Sequence, residues 1–149
     1  MSSKLTLNLP PFDYKIKQEN GRPYILDVIR KKYIMLEPEE WVRQHFIHFM
    51  LASGYPKSLL KIERGHKFNT MAKRSDILAF NREGSPYLLV ECKSPDVPIT
   101  QKVFEQVANY NRIIKAPFLA VTNGMEHYFC KIDFETSSFQ MLENLPAYC

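Results

Sequence analysis

Apolar and polar positions along this chain change period several times, and each change predicts an element. Tyr14 to Leu26 alternates around Asn20-Gly21, a strong hairpin signal. Arg30 to Leu36 reads as a short strand or a linker. Pro38 suits the first turn of a helix, with Glu39 and Glu40 near the positive end of its dipole. Val42, Phe46 and Phe49 share one face of it, with Ile47 and Met50 beside them, so the helix is expected to be amphipathic. It should end near Ser53-Gly54. Three strands follow, over Leu59–Lys67, Ser75–Phe80 and Tyr87–Lys93. Pro95 and Pro98 stop the third. Thr100 is a candidate N-cap for a second helix, whose inner stripe is Val103, Val107, Tyr110 and Ile114, with Pro117 ending it. Phe118–Thr122 is nearly all apolar, the pattern of a strand buried on both faces. Asn123-Gly124 turns, His127–Ile132 returns, and Ser138–Leu142 reads as a last edge strand.

Helix, three strands, helix and further strands imply an α/β fold, a central mixed sheet flanked by helices with an N-terminal hairpin extension. We expect a flexible arm over 1–13 and one domain over 14–149, with its core at about 37–133. At 149 residues, with 45% apolar content, there is enough to build a core but not to house an ATPase motor as well. No G-x-x-x-x-G-K phosphate loop is present.

A net charge of +4 permits nucleic-acid binding without requiring it. Basic residues bunch at Arg30-Lys31-Lys32, at Lys61, Arg64 and Lys67, and at Lys73-Arg74, where the plainer reading is a solvated face. Three widely spaced cysteines argue against a disulfide framework. With no signal-like start and no membrane-spanning run, the expectation is a cytoplasmic protein without membrane partners.

The candidate chemistry lies at strand ends. Asp76 opens one strand, and Glu91-Cys92-Lys93 closes its neighbour. Alternation sends Glu91 and Lys93 to one face and Cys92 to the other. Phosphodiester hydrolysis needs a divalent cation to neutralise developing charge and activate water. Mg²⁺ takes hard oxygen ligands, which Asp76, Glu91 and the backbone carbonyl of Cys92 would supply. Lys93 would orient and help deprotonate the attacking water, or stabilise charge in the transition state. The plainer reading of Glu91 and Lys93 is a same-face ion pair. His45 and His48 lie three apart on a helix, a weak zinc signal. His66 and His127 are single histidines, Cys92 should point into packing, and Trp41 reads as core.

Asp76, Glu91-x-Lys93 and Gln106-x-x-x-Tyr110, set between a first helix and a later strand, resemble the PD-(D/E)XK nuclease superfamily. Pro38-Glu-Glu-Trp-Val-Arg-Gln44, Lys73-Arg-Ser-Asp-Ile77 and Leu89-Val-Glu-Cys-Lys-Ser-Pro95 are more closely similar to the N-terminal nuclease domain of type I restriction enzyme R subunits. The resemblance implies a restriction-endonuclease-like α-β-β-β-α-β core and Mg²⁺-dependent DNA cleavage, with Mn²⁺ as a substitute. It assigns metal ligation to Asp76 and Glu91, catalysis to Lys93, and support of the site to Gln106 and Tyr110. Glu40 matches the first-helix glutamate that completes many such sites, with Glu39 the competing position. Tyr110, Lys73 and Arg74 are candidate DNA contacts; Arg43 is another, or else an ion-pair partner of a first-helix carboxylate. Ser75 stands where the superfamily name has proline. DNA is the implied substrate, and motor or specificity subunits of a restriction system are the implied partners.

Overall fold

The computed structural model describes residues 6–64 and 75–149. The chain opens with an antiparallel three-stranded sheet, β1 (Ile16–Glu19), β2 (Arg22–Asp27) and β3 (Lys32–Met35). Asn20 and Gly21 both take positive φ, 54° and 75°, as a two-residue hairpin turn of this sequence requires. The second turn is held by Asp27, whose Oδ1 accepts from the backbone N–H of Ile29 and Arg30.

Next come α1 (Pro38–Ala52), a single 3₁₀ turn (Lys57–Leu59), β4 (Leu60–Arg64), β5 (Ser75–Phe80), β6 (Pro86–Cys92), α2 (Gln101–Ile114), β7 (Phe118–Thr122), β8 (His127–Asp133) and β9 (Ser138–Leu142). The last six strands form one sheet in sequence order. Only the β6–β7 pair is parallel. A parallel pair needs a long crossover, and α2 supplies it. The strand expected to reach Lys67 is described to Arg64, and the residues beyond lie outside the described range.

Alternation sorts the sheet's side chains into two layers. Ile77, Ala79, Leu88, Val90, Cys92, Ala120 and Phe129 pack with α1. Leu78, Leu89, Leu119, Val121 and Cys130 pack with Val107 of α2. α2 is amphipathic as expected, capped by Thr100 Oγ1, which accepts from Val103 N at 3.2 Å. It stops short of Pro117 because Lys115 turns left-handed at φ 64°. The Asn111 amide then holds both backbone groups of Ala116.

α1 departs from expectation. It is buried at every position from Glu40 to Ile47, not on one face. The cause is the N-terminal part of the chain. Ile25 and Leu36 join the same core as α1, and Phe12 stacks on His48 with centroids 4.3 Å apart and meets His45 edge-on at 4.7 Å. The arm itself is docked where it is described. Leu7 is buried, and Asn8 N donates to Gly124 O at 2.8 Å. His127 Nε2 donates to Asn8 O at 2.8 Å, so its Nδ1 accepts from Thr122 Oγ1 at 2.7 Å. Gly124, at φ 88°, leaves room for Leu7, since a Cβ there would lie 2.9 Å from Leu7 Cδ2. Among the described residues, no helix is long and apolar enough to cross a membrane.

Candidate active site

β5 and β6 bring the candidate carboxylates together. They pair Ile77 with Val90 and Leu78 with Leu89. One step further, the same register sets Asp76 opposite Glu91. Cross-strand neighbours in an antiparallel pair share a face with Cβ atoms about 5 Å apart. Asp76 and Glu91 therefore lie on the Leu78/Leu89 face, the one that α2 covers. They are 1% and 0% exposed.

Lys93 follows on that face, its side chain 13% exposed, with Nζ 3.4 Å from Glu91 Oε2. Its backbone N–H donates to Thr122 O at 2.8 Å, so the end of β6 is tied to the end of β7. Cys92 points the other way, fully buried under α1. Burial drives its thiol pKa up, with the neighbouring carboxylates adding to the rise, so it is no nucleophile. Tyr110 lies on the helix above this face, half-buried against the Leu78/Leu89 layer, and Gln106 sits one turn earlier, exposed.

Glu40 rides on α1, and its two oxygens accept from Arg30 Nη2, Arg43 Nη1 and Gln44 Nε2, each at 2.8 Å. Among the described residues, no three acidic, histidine or cysteine side chains converge as a metal cluster. Glu40 thus stands at the centre of an ion-pair network, and Glu39 belongs to the same network through Arg43 at 2.7 Å. Arg43 is 3% exposed between these two carboxylates, which gives it the ion-pair role left open above. Arg30 bridges on to Asp27, with Nε 2.6 Å from Oδ2. Burial raises the Asp27 pKa, but hydrogen bonds from the Arg30 backbone and side chain, the Arg30 charge and Gln44 outweigh it and leave it lowered.

Lys73 and Arg74 lie outside the described residues. His48 is stacked on Phe12, and His45 meets the same ring edge-on.

Sequence reasoning passed over Glu63 and saw in Asn123 only a turn residue. Glu63 is the Cα partner of Asp76, so three acidic residues hold consecutive register positions across β4, β5 and β6. The Leu60-Lys-Ile-Glu-Arg64 alternation contained that signal. Asn123 caps the turn after β7 through Met125 N and Glu126 N, and its Nδ2 donates to Val97 O at 2.8 Å. It thereby fixes the segment that follows Lys93.

Comparison with known proteins adds a family. The model of the type I restriction enzyme R protein N terminus matches residues 38–146. The chain belongs to that family. The match starts at the first residue of α1 and takes in both helices and the whole six-stranded sheet, leaving the β1–β3 sheet outside. No curated protein and no solved structure gives a significant match. In this R-protein N-terminal family member, the shared region contains Asp76, Glu91, Lys93, Gln106 and Tyr110.

The donor set fits a hard divalent cation. Two carboxylates side by side at strand ends repel one another, and their burial raises the cost. A cation between them would relieve both, with the Cys92 carbonyl as a third oxygen.

Proposed function

We propose that this chain is a Mg²⁺-dependent DNA endonuclease domain of restriction-endonuclease-like fold, hydrolysing phosphodiester bonds. The observation that carries the reading is the register of β5 on β6, which sets Asp76 opposite Glu91 on the face that Lys93 shares. Mg²⁺ or Mn²⁺, when bound, would offset charge on the scissile phosphate and lower the pKa of the attacking water. Asp76 and Glu91 would hold the cation, with the Cys92 carbonyl. Lys93 would orient the water and stabilise charge growing on the phosphate oxygens; its contact with Glu91 keeps the ammonium on that side of the sheet. Gln106, exposed on α2, would reach nearby phosphate, and Tyr110 would brace the helix over the site. Target choice would come from motor or specificity subunits of a restriction system, acting in the cytoplasm.

The test is plasmid nicking by the purified chain with Mg²⁺ or Mn²⁺. Wild type should nick supercoiled DNA, and Asp76→Ala and Lys93→Ala should abolish nicking with circular dichroism unchanged. Cleavage by both variants, or salt-dependent DNA binding with no metal-dependent product from wild type, would overturn the reading.

A further inference from the structure

The outer face of the β1–β3 sheet is aromatic and basic. Ile16 and Ile25 are cross-strand partners and pack in the α1 layer, so the residues on either side of them turn outward. Lys17 pairs with Tyr24, Glu19 with Arg22, and Leu26 with Tyr33. Leu26 N donates to Lys15 O at 2.9 Å, which extends the pairing to Lys15 on the same face. Lys15, Lys17 and Arg22 are exposed, and Tyr24 and Tyr33 are partly exposed. Among the described residues, neither apolar layer takes in Tyr24 or Tyr33. Lys17 Nζ stands 4.6 Å from the centroid of the Tyr33 ring and 3.3 Å from Glu19 Oε2. Charge is concentrated in the same segment. Residues 14–35 hold six cationic and two acidic side chains, a net +4 that equals the net charge of the whole chain. One of the two acids, Asp27, is buried and bonded to Arg30. The segment lies outside residues 38–146, the region that the R-protein family model matches.

We propose that this face binds single-stranded nucleic acid, with bases stacked on Tyr24 and Tyr33 and phosphates on Lys15, Lys17 and Arg22. A basic track with aromatic rings set along it is how single strands are held without sequence preference. Tyr24 and Tyr33 sit diagonally on neighbouring strands, about 7–8 Å apart, so each ring can take its own base. In the free chain the Lys17 ammonium covers the Tyr33 ring. A nucleotide offers the ammonium a phosphate and the ring a base, so the contact is exchanged rather than lost. The Lys17–Glu19 pair is exposed and offers little resistance. Charge alone would also suit an acidic polypeptide. Protein interfaces are depleted in lysine, however, and this face and its rim expose Lys15, Lys17, Lys31 and Lys32. Asp76 and Glu91 lie on the α2 side of the six-stranded sheet, whereas β1–β3 packs on the α1 side. Binding here is therefore separate from the candidate active site and does not depend on cleavage there.

Fluorescence anisotropy of labelled oligo(dT) with the full chain tests this, in EDTA so that cleavage plays no part. Kd should be roughly 1–100 µM near physiological salt. Three neutralised phosphates should give a log–log salt slope of about 2, which Lys17→Gln should lower by about 0.7. Tyr24→Ala and Tyr33→Ala should each weaken binding about tenfold with circular dichroism unchanged, and Tyr33→Trp should keep wild-type affinity. Photocrosslinks from a bromodeoxyuridine strand to wild type should map to Tyr24 or Tyr33. Oligo(U), run beside oligo(dT), tells RNA from DNA, and either strand bound through these tyrosines supports the proposal. Neither strand binding at about 500 µM would overturn it. So would crosslinks confined to other residues, or full affinity in a variant lacking both tyrosine rings. Equal displacement by polyglutamate of matched charge would give the face to an acidic polypeptide and overturn it as well.

Discussion

Glu40→Ala removes one carboxylate that three donors share, and its cost can be worked from the network. Arg30, Arg43 and Gln44 each reach Glu40 at 2.8 Å. Arg43, 3% exposed, has no route to water. Removing one partner of a buried ion pair costs ~3–5 kcal/mol. Here each guanidinium keeps another carboxylate, Arg43 with Glu39 at 2.7 Å and Arg30 with Asp27 at 2.6 Å. That places the expected loss at the low end, about 3 kcal/mol. In a chain of this size ~1 kcal/mol moves Tm by about 2–4 °C, so the melting point should fall by about 6–12 °C. Glu40→Gln keeps one acceptor oxygen and should lose about half as much, roughly 1.5 kcal/mol. Urea titration is the assay, with the midpoint shifting and the slope unchanged. A loss below about 1 kcal/mol in Glu40→Ala would refute the network as a structural element. The same variants test whether this residue also serves a metal site. If Glu40 serves the network alone, Mg²⁺ should still stabilise Glu40→Gln as much as it stabilises wild type.

That stabilisation is itself a prediction. With a millimolar site, ~10 mM Mg²⁺ should add about 1.4 kcal/mol, which thermal melting should register in wild type and not in Asp76→Ala. The acid limb of stability should have two stages. His45 and His48 are both lowered from 6.5 by burial, so their contribution is present above that pH and lost as pH falls below it; replacing both by Gln should flatten the urea midpoint there. Asp27 is lowered from 3.8, so its contribution holds above about pH 4 and disappears as pH drops through its folded value, a stage Asp27→Asn should lack. Gly124→Ala should destabilise by about 1–3 kcal/mol, from strain at positive φ together with the clash on Leu7. Adding Leu7→Ala should relieve only the clash, leaving a residual loss on thermal melting.

Local signals carried much of the fold. Breakers bound the strands closely, so Ser75–Phe80, Phe118–Thr122 and Ser138–Leu142 are found at the expected residues. The acid pair was legible because Asp76 opens and Glu91 closes the apolar runs of one hairpin, where register follows from a short turn. The surroundings of Glu40 were not. Asp27, Arg30 and Gln44 reach it or one another across 10 to 17 residues, and a helix facing a solvated charge has the same local pattern as one facing a buried network. The docking of Leu7 over Gly124 was hidden for a similar reason, since its partner lies more than a hundred residues away.

The order in which the site's parts can meet follows from chain separation. Asp76 and Glu91 are joined by a short hairpin whose turn is set by Gly84 at φ 86°, and such a hairpin closes in microseconds. Its parallel neighbour β7 begins only at Phe118, after α2 has formed and crossed over. Closing that longer loop costs more entropy and belongs to the slower step. The two carboxylates would therefore meet while still hydrated and lose their water when α2 and β7 dock. Substitutions that neutralise them should act mainly on the unfolding arm of the chevron, because the desolvation they relieve would come after the folding barrier.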